Sequence, residues 1–205
     1  MRLEGRPMRE SILAAAVQLF AKYGYHAAPL RDIARIAGIQ AASIYHHYPS
    51  KQALLVEIME TYMQRLIANL ERILLTYDNP VQRLNEAVAN HIRMHTMYKD
   101  EFFIIDTEIR ALEDKNRPDI LALRKKYEVL IQEILQNGMG RNIFRQSDVK
   151  VASYAIIAMC TEVATWFRQG ERLTVQQVID IYCRMITQGL LLTPDPAQER
   201  SIHTR

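Results

Sequence analysis

Residues 24–51 read GYHAAPLRDIARIAGIQAASIYHHYPSK, a stretch that contains the signals for two short helices and a turn. Because Pro29 suits the first turn of a helix, a short helix is predicted over about 29–36. A tight turn at 37–39 follows, and its glycine can take the positive φ that such turns often need. A second short helix is predicted over about 40–47. Two short helices joined by a glycine-containing turn form a helix-turn-helix.

A helix-turn-helix suggests a role in DNA binding, because the major groove is wide enough to admit its second helix. The first of the two helices then packs across the DNA backbone. A small apolar core would fix the angle between the two helices, and the sequence supplies suitable residues for it. They are Ile33, Ala34, Ala37, Ile39 and Ile44.

Helical patterns continue on both sides of this motif. On its N-terminal side, apolar residues recur at helical spacing through 8–23, which predicts a three-helix head. On its C-terminal side the predicted helices are longer. They cover about 51–76, 80–98, a broken stretch at 101–113, 118–138, 148–169 and 174–192, with caps at Ser50, Asn79, Asp148 and Thr174. Since no segment is typical of a strand, the expected fold class is all-α.

The two helices predicted near the C-terminus carry more apolar surface than one small body can cover. The helix at 149–168 is apolar on two opposite faces, and a helix of that kind needs partners on two sides. The helix at 174–192 adds a further apolar stripe. A homodimer through both helices is the economical arrangement, although a central helix in a monomeric bundle would also satisfy the pattern.

The positive charge of the chain is concentrated at its N-terminal end. The 205 residues carry a net charge of +3, whereas residues 1–51 alone carry seven Lys or Arg against three acids. The remainder holds 19 basic and 20 acidic residues. Nucleic acid is a natural partner for such an end, because neutralised phosphates drive non-specific affinity.

Several classes of protein are not expected from this sequence. It has no apolar run long enough for a membrane span and no leader pattern, and its two cysteines, Cys160 and Cys183, lie in apolar helical stretches. These features favour a cytoplasmic protein with two buried thiols. No phosphate loop, nucleophile elbow or zinc-hydrolase helix occurs, so neither an enzyme nor a cofactor is expected. A helical interaction module that does not bind DNA remains an alternative.

The motif resembles the signature of the TetR family over about residues 12–55. The matching residues are Leu30, Ile33, Ala34, Ala37-Gly38-Ile39, Ser43-Ile44-Tyr45, His47-Tyr48 and Ser50-Lys51. The chain departs from the common pattern at three positions. Ala28 stands where threonine usually caps, Gln40 replaces a small hydroxyl residue, and Tyr48 replaces the more usual phenylalanine.

The resemblance implies a helix-turn-helix head at 1–51 and a ligand-binding and dimerisation body at 52–193. Two prolines and the polar residues after them predict a disordered tail at 194–205. Carried over by position, it implies nine DNA-binding residues: Arg31, Gln40, Ala41, Ala42, Ser43, Tyr45, His46, His47 and Lys51. The methyl groups of Ala41 and Ala42 would touch thymine methyls. Tyr45, His47 and Lys51 would contact phosphates, which sets register without reading sequence.

A ligand pocket among the helices of 51–169 is a further implication of the resemblance. Pockets are mostly apolar, and the candidate lining residues are Met94, Phe103, Tyr127, Tyr154 and Met159. Ordinary core packing is the alternative for each of them. Residues 160–191 are also similar to TetR regulators of fatty-acid and steroid-ring breakdown, which respond to acyl-CoA thioesters. By that likeness Trp166 would pack on the ligand, while Arg168 and Arg172 would meet phosphates of coenzyme A.

The function implied is that of a ligand-responsive repressor, released from a palindromic double-stranded operator by a small molecule. A drug-responsive regulator of the same fold is one alternative. A metal-responsive regulator is another, because His91 and His95 are four residues apart on one predicted helix and could share an ion, with Asp106 and Glu108 adding oxygens. Two histidines without a cysteine or a second motif are weak evidence, so no metal site is expected.

Overall fold

The computed structural model describes residues 7–190, and this range is helical almost throughout. Its α-helices are α1 (Met8–Tyr23), α2 (Leu30–Ala37), α3 (Lys51–Thr76), α4 (Pro80–Met97), α5 (Lys99–Thr107), α6 (Arg117–Gly140), α7 (Val149–Trp166) and α8 (Val175–Leu190). Two 3-10 helices, Ala41–His46 and Ile109–Ala111, complete the set. Because 7–190 contains no β-strand, the predicted all-α class is confirmed.

The starts of the long helices follow the caps predicted from the sequence. Ser50 Oγ accepts the Ala53 N–H at 3.1 Å before α3, and Asp148 Oδ1 accepts the Val151 N–H at 3.0 Å before α7. Asn79 Oδ1 accepts the Val81 N–H at 2.8 Å before α4. Before α8 the bonds are reciprocal, because the Thr174 N–H donates to Gln177 Oε1 at 2.8 Å and the Gln177 N–H donates to Thr174 Oγ1 at 3.2 Å. These bonds satisfy backbone donors that a helix leaves free in its first turn.

Several predicted boundaries need correction. The second short helix is a 3-10 helix at Ala41–His46, not an α-helix over 40–47. α7 ends at Trp166 rather than near 169, because Phe167 takes an extended backbone with ψ 134°. α2 begins at Leu30, since Pro29 is itself extended with ψ 144° and serves as the cap residue.

Gly138 was expected to end α6, and this expectation is wrong. The helix continues through Gly138 to Gly140. A Cβ atom at 138 would overlap the ring of Phe144, which is fully buried. Glycine at this position therefore serves a close approach between the helix backbone and an aromatic ring, not the end of the helix.

The chain forms two compact units, each with its own core. The first comprises the described residues up to 69 together with 94–127. Its core includes Ile33, Ala34 and Ile44, which are at most 1% exposed, as the sequence predicts. Ala37 and Ile39, predicted for the same core, are only partly buried. α3 begins within this unit, and the domain boundary predicted after residue 51 stays a prediction.

The second unit comprises residues 70–93 and the described residues from 128 onward. Its core contains Leu84, Leu135, Val163 and Val178, whose side chains are nearly inaccessible. α7 and α8 also carry apolar side chains that this unit does not cover. The exposed fractions are 65% for Val151, 51% for Tyr154, 37% for Met159 and 56% for Met185.

The two cysteines behave as apolar residues of the second unit. Cys160 is buried, whereas Cys183 is only half-buried and its Sγ lies 3.5 Å from the backbone carbonyl of Asn85. Burial raises the pKa of Cys160 to about 12 and that of Cys183 to about 11. Both thiols are therefore protonated at neutral pH, which makes them poor nucleophiles. Within 7–190, none of the helices has the length and apolar character that crossing a membrane requires.

The contact between Gly138 and Phe144 predicts a large difference between two neighbouring glycine substitutions. Gly138→Ala should lower the free energy of unfolding by about 2 kcal/mol or more, because the core must shift to admit a methyl group. At Gly140 an added Cβ meets nothing within 4 Å, so Gly140→Ala should leave stability unchanged or raise it by up to ~1 kcal/mol. Urea unfolding of both variants checks this, and equal stability would contradict the described contact.

Candidate nucleic-acid interface

A tight turn at Gly38 sets the direction of the segment that follows α2. Gly38 has φ +76° and ψ +28°, a left-handed conformation that is costly for residues with a Cβ. Its N–H donates to the carbonyl of Arg35 at 3.3 Å, and the N–H of Ile39 donates to the carbonyl of Ala34 at 3.0 Å. These two bonds close the end of α2 and send the chain into the 3-10 helix Ala41–His46.

This 3-10 helix turns one residue inward and most of the others toward solvent. Ile44 is fully buried beside the core of the first unit. Of the nine predicted DNA-binding residues, the exposed ones are Arg31, Gln40, Ala41, Ala42, Tyr45 and His46, and the partly buried ones are Ser43, His47 and Lys51. Tyr45 is 59% exposed, so its ring and hydroxyl are accessible to a partner. The helix therefore exposes methyl groups, a phenol and an imidazole to solvent.

Lys51, the first residue of α3, is held against the loop between α1 and α2. Its Nζ donates to the carbonyl of His26 at 3.2 Å and lies 4.7 Å from the centroid of the Tyr25 ring. Partial burial lowers the pKa of Lys51. An ammonium fixed in this way is oriented before any phosphate arrives, and its predicted phosphate contact stays a prediction.

A cluster of charged and aromatic groups joins α1, the end of the 3-10 helix and α3. Arg9 forms an ion pair with Glu57, and its Nη1 donates to the carbonyl of His47 at 3.0 Å. The Arg9 guanidinium carbon lies 4.5 Å from the centroid of the Tyr48 ring. The Tyr48 hydroxyl donates to Glu57 Oε1 at 3.1 Å. We call these four residues, Arg9, His47, Tyr48 and Glu57, the brace.

The brace accounts for one departure from the common signature. Tyr48 is 1% exposed, so its hydroxyl needs a partner, and Glu57 provides one. Burial, reinforced by the charge of Glu57, raises the pKa of Tyr48, which keeps the phenol protonated as a donor. Neither Arg9 nor Glu57 was identified from the sequence, because both lie outside the local motif and are 48 positions apart.

A second polar network surrounds Gln52 in the first turn of α3. Gln52 is 5% exposed, and its Nε2 donates to the Tyr25 hydroxyl at 3.1 Å and to the carbonyl of Ala111 at 3.2 Å. Its Oε1 accepts the N–H of Glu113 at 2.7 Å. In addition, the N–H of Tyr25 donates to Glu108 Oε1 at 3.0 Å. One buried amide thus joins the α1–α2 loop, α3 and the segment between α5 and α6.

The apolar ligand-binding candidates are divided by burial. In the first unit Met94 and Tyr127 are buried, at 5% and 4% exposure, whereas Phe103 is 48% exposed. In the second unit Tyr154 and Met159 are exposed on α7. Met94 and Tyr127 are therefore part of the core of the first unit, and their contact with a ligand stays a prediction.

Trp166, Arg168 and Arg172 lie at the end of α7 and in the connection to α8. Trp166 is 47% exposed, and both arginine side chains are exposed. Arg168 Nη1 donates to the carbonyls of Thr165 at 2.8 Å and Phe167 at 3.0 Å. Arg168 therefore satisfies backbone carbonyls at the end of α7, although the residue as a whole is exposed.

The two histidines considered as metal ligands each have a polar neighbour. His91 Nε2 lies 3.0 Å from Thr161 Oγ1 in the second unit, and His95 Nδ1 lies 3.1 Å from the Tyr62 hydroxyl in the first. Within the described range, no group of three His, Cys, Asp or Glu side chains is arranged to hold a metal ion.

Comparison with known proteins covers nearly the whole chain. Residues 12–58 match the model of bacterial regulatory proteins of the tetR family, and residues 77–190 match the tetracyclin repressor-like C-terminal domain. The transcriptional repressor KstR2 of Mycobacterium tuberculosis is 31% identical over 193 residues, which cover 89% of this chain and 92% of that protein.

Two solved structures are similar in both fold and sequence. The TetR family transcriptional regulator PfmR from Thermus thermophilus is 30% identical with a TM-score of 0.81, covering 87% of this chain and 97% of that one. AibR, solved in complex with isovaleryl coenzyme A and operator DNA, is 28% identical with a TM-score of 0.80 and has the same coverage, 87% and 97%.

The network around Gln52 predicts a cost for removing its amide. Gln52→Leu keeps most of the volume but leaves the Ala111 carbonyl and the Glu113 N–H without this partner, which should cost about 2 kcal/mol of unfolding free energy. Gln64→Leu makes the same chemical change at an exposed position of the same helix and should alter stability by less than about 0.5 kcal/mol. Urea unfolding compares the two, and equal losses would refute a special role for Gln52.

Proposed function

Because the chain belongs to the TetR family of bacterial regulatory proteins, we propose that it is a repressor that a small molecule releases from a palindromic operator. The observation that carries this proposal is the outward surface of the 3-10 helix Ala41–His46, which follows a tight turn in a basic N-terminal head. A helix presented in this way suits the major groove. The named functions of the relatives support the same role.

The proposed contacts are of two kinds, those that read the bases and those that position the protein on the phosphates. Ala41 and Ala42 would read thymine methyls, because their own methyl groups are exposed on the helix. Tyr45 and His47 would donate to phosphates, as would Lys51 from the start of α3. Further contacts are proposed for Arg31, Gln40, Ser43 and His46.

A homodimer through α7 and α8 is part of the proposal. Apolar side chains exposed on these helices include Val151, Tyr154 and Met185, and a second copy of the chain would cover them. Two-fold symmetry would present two identical heads to DNA. The operator would then be palindromic, with half-sites in successive major grooves.

An acyl-CoA thioester is the proposed effector. The AibR complex supports it, because that similar protein binds isovaleryl coenzyme A. Arg168 and Arg172 are exposed in this chain, and guanidinium groups suit the phosphates of coenzyme A, while the nearby Trp166 offers an apolar surface. To release DNA, the ligand must bind more tightly to the form of the dimer whose heads fit the operator poorly.

The DNA-binding role is tested with an operator that the protein selects from a random duplex library. We expect selection of a palindrome, a complex containing two chains, and affinity that falls steeply with salt. Tyr45→Phe should weaken binding by about tenfold on selected and scrambled duplexes alike, because a phosphate donor is lost. Ala41→Ser should instead change the selected sequence.

Fluorescence anisotropy on the two duplexes measures these effects. Failure to select any site would overturn the DNA-binding proposal. A Tyr45→Phe variant with changed base preference and unchanged affinity would overturn the phosphate role alone.

The effector proposal is tested by titrating the operator complex with a panel of acyl-CoA thioesters. Release by a thioester should need at least about tenfold more ligand in the double variant Arg168→Met, Arg172→Met, because charged donors to phosphate are lost. Operator affinity without ligand should not change. Lys150→Met, which removes an exposed positive charge near the opposite end of α7, is the control. If no thioester releases DNA, the effector belongs to another class and the DNA-binding role stands.

A further inference from the structure

In the proposed function the 3-10 helix Ala41–His46 enters a groove of DNA. The residues of the brace lie outside this helix and contact its C-terminal end. The 3-10 helix has six residues, and Gln40, which precedes it, gives it no side-chain cap. A 3-10 helix has poorer hydrogen-bond geometry than an α-helix, and so short a segment has little stability of its own. Ile44 is its buried anchor, so the angle of the helix depends on what fixes its ends.

At the start of the helix the Gly38 turn fixes the chain, and at its end the brace does. Arg9 reaches from α1 to the carbonyl of His47, the residue that directly follows the helix. The backbone there is also tied to Ile44, whose carbonyl accepts the N–H groups of His47 at 2.9 Å and Tyr48 at 2.8 Å. The Arg9 guanidinium is thus bonded directly to the backbone at the end of the helix.

Glu57 decides where that guanidinium lies. Its two carboxylate oxygens accept hydrogen bonds from Arg9, and one of them also accepts the hydroxyl of Tyr48. A glutamine at 57 has one acceptor oxygen, and its amide nitrogen would face donor groups, so it cannot replace these bonds. The hydroxyl that distinguishes Tyr48 from phenylalanine thus completes a set of bonds centred on Glu57.

We propose that Arg9 and Glu57, completed by the Tyr48 hydroxyl, are positioning residues that set the angle of the 3-10 helix Ala41–His46 for operator recognition. They need touch no base themselves. The inference rests on the proposed DNA-binding function. It assigns a role in specificity to an acidic residue, although negative charge near DNA ordinarily weakens binding.

The electrostatic effect and the positioning effect of Glu57 on DNA affinity have opposite signs, so a substitution at this residue separates them. Long-range electrostatics predicts that Glu57→Gln binds all DNA more tightly, because a negative charge is removed. The positioning role predicts that Glu57→Gln binds the selected operator about tenfold more weakly, with little loss on a scrambled duplex. Glu60→Gln removes the same charge three residues along α3, outside the brace, and should leave the ratio of the two affinities unchanged.

The experiment measures anisotropy on the operator selected by the wild-type protein and on the scrambled duplex. Tyr48→Phe should also lower the operator affinity. The double variant with Glu57→Gln should lose less binding free energy than the two single variants lose together, since both changes break one set of bonds. Urea unfolding checks that each variant is folded. If Glu57→Gln does not fold, Tyr48→Phe carries the test, because it keeps the buried ring.

Three outcomes would overturn the proposal. The first is tighter operator binding by Glu57→Gln. The second is an unchanged ratio of operator to scrambled affinity in both Glu57→Gln and Tyr48→Phe. The third is a lowered salt dependence in Arg9→Lys or Arg9→Gln with no loss of specificity, since this would make Arg9 a phosphate contact. If the wild-type protein selects no operator, the DNA-binding function itself is wrong.

Discussion

A helix of six residues cannot hold its shape in water, and the head of this protein must nevertheless keep one at a fixed angle. The conformational entropy lost when a helix nucleates outweighs the free energy gained from the hydrogen bond of its first turn. The 3-10 helix Ala41–His46 therefore depends on contacts with the rest of the protein. Gly38 directs its start through a left-handed backbone, Ile44 anchors its middle in the core, and Arg9 holds the carbonyl just after its end. Because only Ile44 of this helix is fully buried, the residues proposed to contact DNA, such as Ala41 and Tyr45, remain exposed.

The same requirement explains why polar groups are buried in this unit. A buried amide such as Gln52 contributes only if its donors and acceptor are satisfied, and here they meet Tyr25, Ala111 and Glu113. Apolar packing alone would tolerate small rotations of one segment against another. Directional bonds at Gln52 and Glu57 fix the relative orientation of the segments that they join. Recognition of a DNA groove depends on this orientation more than on the stability of the fold.

Local signals were readable from the sequence, whereas contacts between distant positions were not. The caps at Ser50, Asn79 and Asp148 were predictable because each cap acts within three residues. The tight turn at Gly38 was predictable for the same reason. Arg9 meets the His47 carbonyl across 38 positions and Gln52 meets Ala111 across 59, and nothing in the local pattern indicates either contact. Gly138 shows the opposite error, because a glycine near a helix end was assigned to the end when it serves the Phe144 ring.

In the proposed dimer, any change in the angle of the 3-10 helix Ala41–His46 affects binding at both half-sites. Two identical heads bind two half-sites, so a misfit costing about 1.4 kcal/mol per head weakens operator binding about a hundredfold. Non-specific affinity, which rests on phosphate neutralisation, changes far less with the same rotation. An effector therefore needs to bind the two head arrangements with only modestly different affinities to release the operator. A short helix held by a few directional bonds at its ends is suited to that task, because small displacements of its supports change its fit to the groove without unfolding the core that contains Ile33 and Ile44.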